Sequence, residues 1–124
     1  MGYNLNKGNS LGNDPKWLIP HIDRTKNTYL RCRNYACVTF ISLGNEGGNG
    51  ANFCLTYLYI KSLEAGNQNR PVQYERAGWE FNTDLYVPQY PSASSFEYWG
   101  QSGTDRPVIP SEYSHAMGNS NCCF

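Results

Sequence analysis

Cys37-Val38-Thr39-Phe40-Ile41-Ser42-Leu43 reads as one buried β-strand, and Gly44 ends it. The run is short, apolar and rich in β-branched side chains, the pattern of a strand covered on both faces. Upstream, Asp14-Pro15 is a helix-start signal, an N-cap followed by proline at the first helical position. Trp17, Leu18, Ile22, Tyr29 and Leu30 then predict a helix over about 15–34, with Pro20 tolerable only near its first turn. Downstream, a Gly/Asn-rich loop over 44–52 precedes Phe53, Leu55, Leu58, Tyr59 and Leu63, a helical pattern closed by Gly66 as the C′ residue.

Further strands are predicted at Pro71-Val72-Gln73-Tyr74-Glu75, at Leu85-Tyr86-Val87-Pro88 and at Val108-Ile109-Pro110-Ser111, with a short helix over 93–102. The Gly- and Asn-rich start, residues 1–13, reads as loop. Strands alternating with helices argue for an α/β fold built from parallel βα units.

Composition excludes several function classes. Ten Lys+Arg balance ten Asp+Glu, so no basic excess draws a phosphate backbone or an anionic membrane. No apolar run approaches the roughly 20 residues that span a bilayer. The N-terminus carries neither a basic nor an apolar targeting region, so no signal peptide is expected and the default compartment is the cytoplasm. The five cysteines form no CxxC pair, which argues against zinc. Cys32, Cys37 and Cys54 read as small hydrophobes in apolar segments, and Cys122-Cys123 stand near the C-terminus. Aromatic residues make up 15% of the chain, which suits core packing first and sugar faces second. Among Trp17, Trp79 and Trp99 packing is the leading expectation, and Trp79, in a loop after a strand, is the best sugar platform of the three.

In parallel α/β folds chemistry collects at the carboxyl ends of strands. Gly44-Asn45-Glu46, Glu75, Gln89-Tyr90 and Glu112-Tyr113 occupy those positions here. Two strand-end glutamates, Glu46 and Glu112, could serve glycoside hydrolysis, in which one carboxylic acid protonates the leaving oxygen. The other attacks the anomeric carbon, with retention at a separation of roughly 5–5.5 Å, or activates water, with inversion at roughly 6.5–9.5 Å. A glutamate after a strand also reads as a helix cap or a solvated loop residue, and Glu75 has no role of its own in this reading.

Ser42-Leu43-Gly44-Asn45-Glu46-Gly47-Gly48-Asn49-Gly50-Ala51-Asn52 resembles the acid/base segment of glycoside hydrolase family 2 β-galactosidases. Ser111-Glu112-Tyr113-Ser114-His115-Ala116-Met117-Gly118-Asn119-Ser120 resembles the nucleophile segment of the same family, in its β-galactosidase rather than its β-glucuronidase form. Leu11 to Trp17, Asn69 to Glu75 and Asp84 to Tyr90 are similar to further family segments, in the same order.

The resemblance implies an α/β fold that is a partial TIM (β/α)8 barrel, about strands 4 to 7 with their helices, spanning residues 1–124. Residues 37–43 would be its fourth strand and 107–111 its seventh. It implies Glu46 as acid/base and Glu112 as nucleophile. Asn45 would bond the sugar 2-hydroxyl or the nucleophile's surroundings, Tyr90 would donate to the nucleophile, and His115 would contact galactose hydroxyls. The full-length family binds Mg²⁺. Glu46 would be one ligand, and the family's Glu-x-His-Gly segment, expected just upstream of Met1, would supply the others. The chain is therefore expected to be a piece of a larger barrel that binds no Mg²⁺ by itself. Two bare strand edges and an open apolar face would leave it marginally folded, self-associating or paired with a complementary barrel fragment. A non-catalytic carbohydrate-binding module on the same strands is the competing expectation.

Overall fold

A computed structural model of the chain describes residues 10–118. The Gly/Asn-rich residues 1–9, and Asn119 to Phe124 with Cys122 and Cys123, lie outside the described residues. A 3-10 turn at Pro15–Trp17 leads into helix α1, Leu18–Cys32. Asp14 caps the turn by accepting the Lys16 N–H at 3.0 Å, with Pro15 at the first position. Pro20 falls in the first turn of α1, where backbone N–H groups have no intrahelical partner, so its ring removes no bond.

Strand β1 (Ile41–Ser42), helix α2 (Ala51–Glu64) and strand β2 (Val72–Gln73) follow. The strands pair in parallel, Ile41 opposite Val72 and Ser42 opposite Gln73. Two more extended segments continue the same sheet direction. Asp84 N–H donates to the Val72 carbonyl at 2.8 Å, Tyr86 forms a parallel bridge with Val108, and Gln89 forms another with Glu112. Four parallel lanes thus lie side by side in chain order, at 41–43, 71–74, 84–90 and 107–112. Helix α3, Ala93–Ser102, joins the last two, started by Ser92, whose hydroxyl accepts the Ser95 N–H at 3.2 Å.

Tyr29, Leu43, Phe53, Tyr57, Ile60, Val72, Tyr74 and Ala77 form the core where α1 and α2 cover β1 and β2. Phe53 and Tyr74 stack at 4.0 Å between ring centroids. Under this layer Glu64 and Arg70 form a buried ion pair, Nη2 to Oε1 at 2.7 Å, with the Arg70 backbone N–H also donating to Glu64 at 2.8 Å. The Arg70 hydrogen bonds outweigh burial and hold the Glu64 carboxyl down at about 2. Asp84 joins α2 to the sheet, accepting from the Val72 N–H at 2.7 Å, Tyr57 at 2.7 Å and Lys61 at 3.0 Å.

Between β2 and the third lane the outer layer contains only a 3-10 turn, Glu75–Ala77, and the loop after it. Trp79 covers this stretch, stacked on Tyr86 at 3.9 Å, with Trp99 of α3 edge-on to Tyr86 at 5.2 Å. One face of Trp79 is therefore taken by packing.

The expected strand over 37–43 shortens to two residues. Cys37, Thr39, Phe40 and Ser42 are exposed, because nothing among the described residues lies beyond the outer edge of β1 or covers its inward face. Cys37 is consequently no buried hydrophobe, while Cys32 and Cys54 are half-buried. Among the described residues no helix is long and apolar enough to cross a membrane.

Candidate active site

The carboxyl ends of the four lanes carry Asn45 and Glu46, Glu75 and Arg76, Gln89 and Tyr90, and Glu112 with His115. Glu46 sits on the loop from β1 to α2, which is pinned on three sides. The Tyr74 hydroxyl donates to the Gly48 carbonyl at 2.7 Å. Asn49 and Asn82 exchange amide bonds, Asn82 Nδ2 reaching Asn49 Oδ1 at 3.0 Å, and both are buried. Asn13 Oδ1 accepts the Ala51 N–H at 3.0 Å and so caps α2. At Gly50 a Cβ would lie 2.6 Å from the Gly12 carbonyl oxygen, so only glycine permits this approach of two backbones.

The loop gives Glu46 an unusual backbone. Its φ is +46°, as Tyr90 takes +49°. A left-handed conformation at a non-glycine residue costs on the order of 1–3 kcal/mol and persists only where neighbours hold it. The neighbour here is Glu75, whose Oε1 accepts the Glu46 N–H.

Glu112 is held from the next lane. Gln89 Nε2 donates to its Oε1 at 2.7 Å, and Tyr90 Oη donates to its Oε2. Gln89 Nε2 also reaches Asn45 Oδ1 at 3.2 Å, while Gln89 Oε1 accepts from Arg76 Nη2 at 2.8 Å. Arg76 Nη2 stands 4.0 Å from Glu46 Oε1, and its Nε lies 3.0 Å from Glu75 Oε2. His115 meets the Tyr90 ring edge-to-face at 5.0 Å. Asn45, Glu46, Tyr90, Glu112 and His115 are thus brought into one cluster, joined by Glu75, Arg76 and Gln89.

Those last three carried no assigned role in the sequence. Gln89 had a usable signal, since it adjoins Tyr90 at a strand end. Glu75 and Arg76 had none beyond their strand-end position. Burial pushes the Glu75 carboxyl above its ordinary range; the Glu46 N–H and Arg76 draw it down, and the charges of Glu46 and Glu112 push it up.

Among the described residues no group of three or more His, Cys, Asp or Glu could hold a metal ion. The positive group beside Glu46 is the Arg76 guanidinium. These described residues do not supply the octahedral oxygen set of Mg²⁺. A groove of about 460 Å³ runs between α1 and β1, lined by Tyr29, Val38, Phe40 and Arg70 among others. It contains neither Glu46 nor Glu112.

Parallel lanes with ionisable side chains gathered at their carboxyl ends define an α/β domain with its chemistry at one end of the sheet. A family model described as glycosyl hydrolases family 2, TIM barrel domain, matches residues 1–124. The chain belongs to that family, and membership suggests a glycosidase.

Proposed function

We propose that the chain carries the reacting groups of a retaining β-galactosidase acting on terminal β-D-galactosides of the lactose type. The observation that carries the reading is the continuous contact path from Glu46 through Arg76 and Gln89 to Glu112. Two donors aimed at the Glu112 carboxylate suit a nucleophile that must attack in its ionised form.

In the first step a Glu112 oxygen attacks C1 of galactose. The C1–oxygen bond to the leaving group breaks, and that oxygen takes the proton of Glu46. In the second, the Glu46 carboxylate takes a proton from water, the water oxygen attacks C1, and the ester bond to Glu112 breaks. Asn45 and His115 would contact sugar hydroxyls, and Tyr90 would keep the nucleophile's oxygens oriented. Hydrolysis of a chromogenic β-galactoside, compared between the chain and Glu112→Gln, tests the assignment. Turnover should vanish in the variant, and strong turnover surviving there would contradict it.

A second observation bears on how the chain works. A hollow of about 290 Å³ on the inward face of the lanes is lined by Phe40, Gln73, Leu85, Val87, Ile109, Pro110 and Ser111. Gln73 Oε1 is buried there without a hydrogen-bond partner, and Phe40 and Ile109 are exposed. A buried acceptor and open apolar side chains call for a cover that brings a donor. We propose that further parallel strands supply it, from a complementary barrel fragment or from a second copy, and that the chain alone has little activity. Light scattering on the purified chain should give more than one copy per particle, or one copy plus the complementary fragment when both are present. A well-behaved monomer that gains no activity from such a fragment would contradict this. A carbohydrate-binding role without catalysis would instead give saturable galactose binding, no turnover, and no loss of binding in Glu112→Gln.

A further inference from the structure

We propose that Glu75 and Arg76 are positioning residues for the two glutamates. Glu75 fixes the backbone of Glu46, and Arg76 reaches from Glu75 to the Glu46 carboxylate and to Gln89, which holds Glu112. The purpose of the device rests on the glycosidase reading above; its geometry does not.

Four observations converge on it. Glu46 adopts a left-handed backbone that its own side chain does not favour, and its N–H is received by Glu75. The Glu75 side chain is 3% exposed, so its carboxyl sits where charge is costly, beside the Glu46 N–H and the Arg76 guanidinium. Arg76 Nε faces Glu75 at 3.0 Å while Nη2 of the same planar guanidinium faces Glu46 and Gln89, so one rigid fork sets the spacing of three side chains. Gln89 then spends its amide N–H on Glu112, at 2.7 Å, and on Asn45, at 3.2 Å. Both reacting carboxylates are thereby referenced to one ion pair, its carboxylate buried and its guanidinium half-buried. Loops that carry catalytic groups need such an anchor, since small misplacements are expensive in rate.

The Glu46 amide resonance in ¹⁵N-labelled 124-residue chain reads the device directly, followed as a function of pH. Because that N–H donates to Glu75, it should move upfield in a single step as Glu75 takes a proton, with Arg76, Glu46 and Glu112 the charged groups around it. Glu75→Gln keeps an acceptor and nearly the same volume; there the step should disappear while the resonance persists. Arg76→Gln should move the midpoint to higher pH, and Arg76→Lys should return part of it. A Glu46 amide that titrates identically in the chain and in Arg76→Gln, or that ignores Glu75→Gln, overturns the proposal. If Glu75→Gln loses its dispersed spectrum, the Arg76→Gln midpoint alone decides.

Kinetics supply the second arm. On a chromogenic β-galactoside, with the complementary barrel fragment present, Glu75→Gln should lower kcat by roughly tenfold to a hundredfold with KM nearly unchanged, the pattern of misplaced reacting groups. An unchanged kcat overturns the proposal. A chain that follows the expected amide pattern but hydrolyses no galactoside even with a complementary barrel fragment present retains the positioning geometry and refutes the glycosidase reading.

Discussion

Tyr90 and Glu112 meet through both backbone and side chain. The Tyr90 N–H donates to the Glu112 carbonyl at 2.7 Å, and its phenol donates to Glu112 Oε2. The left-handed φ of Tyr90, +49°, turns its ring back over the neighbouring lane so that both bonds form at once. A tyrosine held in this way is aimed at one carboxylate oxygen before any substrate arrives.

Removing that donor should cost rate and little else. Tyr90 is more than a third exposed, so Tyr90→Phe should leave the circular dichroism spectrum and the urea midpoint unchanged. Its kcat should fall by roughly 10²–10³-fold, the usual loss for one preorganised donor. A kcat within threefold of the parent chain would mean the phenol does not serve the reaction.

The Glu64–Arg70 pair should dominate acid sensitivity. Arg70→Met leaves a carboxylate buried without its cation and should destabilise by about 3–5 kcal/mol in urea unfolding. The pH dependence follows from the sign of the shift. The folded state holds Glu64 at about 2 against an ordinary 4.5. Its contribution is therefore fully present above 4.5 and is lost as pH falls from there toward 2. Glu75 acts in the opposite sense, because its folded value is raised and protonation favours the folded state. Thermal melts from pH 6 to pH 2 should show a loss below 4.5 that Glu64→Gln flattens. A melt curve that stays level down to pH 2 would contradict the assignment.

Two glycines should respond in opposite directions. Gly50→Ala drives a Cβ to 2.6 Å from a backbone oxygen, with no flexible side chain to yield, and should cost about 1–3 kcal/mol. Gly100 lies inside α3 with nothing within 4 Å of its added Cβ. Gly100→Ala should stabilise by about 0.5–1 kcal/mol, through helix propensity and a less flexible unfolded chain. Urea midpoints of the two variants check the pair, and a shift in the same direction for both would count against the packing described here.

Local sequence signals carried the helices well. Gly66 two residues after Glu64 and Asp14-Pro15 both mark ends that the structure has, because capping is decided within a few residues. Pro20 was readable for the same reason. Strand lengths were less legible. The run 37–43 is apolar enough for a buried strand, but a ladder needs a partner lane, and β1 has one on a single side. The cluster around Glu46 and Glu112 divides along the same line. Asn45, Tyr90 and His115 lie in segments that resemble the family's, and that resemblance is what points to them. Arg76 and Glu75 matter because four distant lanes come side by side, and no local pattern encodes that. The left-handed backbone of Glu46 is likewise invisible locally, because the Glu75 carboxylate that receives its N–H is 29 residues away.

Covalent trapping offers the most direct test that Glu112 attacks a galactose ring while Glu46 handles the proton. An aryl 2-deoxy-2-fluoro-β-galactoside with a good leaving group lets the first step occur and slows the second, leaving the sugar on the attacking residue. Peptide mass spectrometry after digestion should find one fluorogalactosyl group on Glu112, formed without the help of Glu46 and absent in Glu112→Gln. A sugar on Glu46, on Glu75 or on any other side chain, or hydrolysis of galactosides with no trapped sugar at all, would contradict the account.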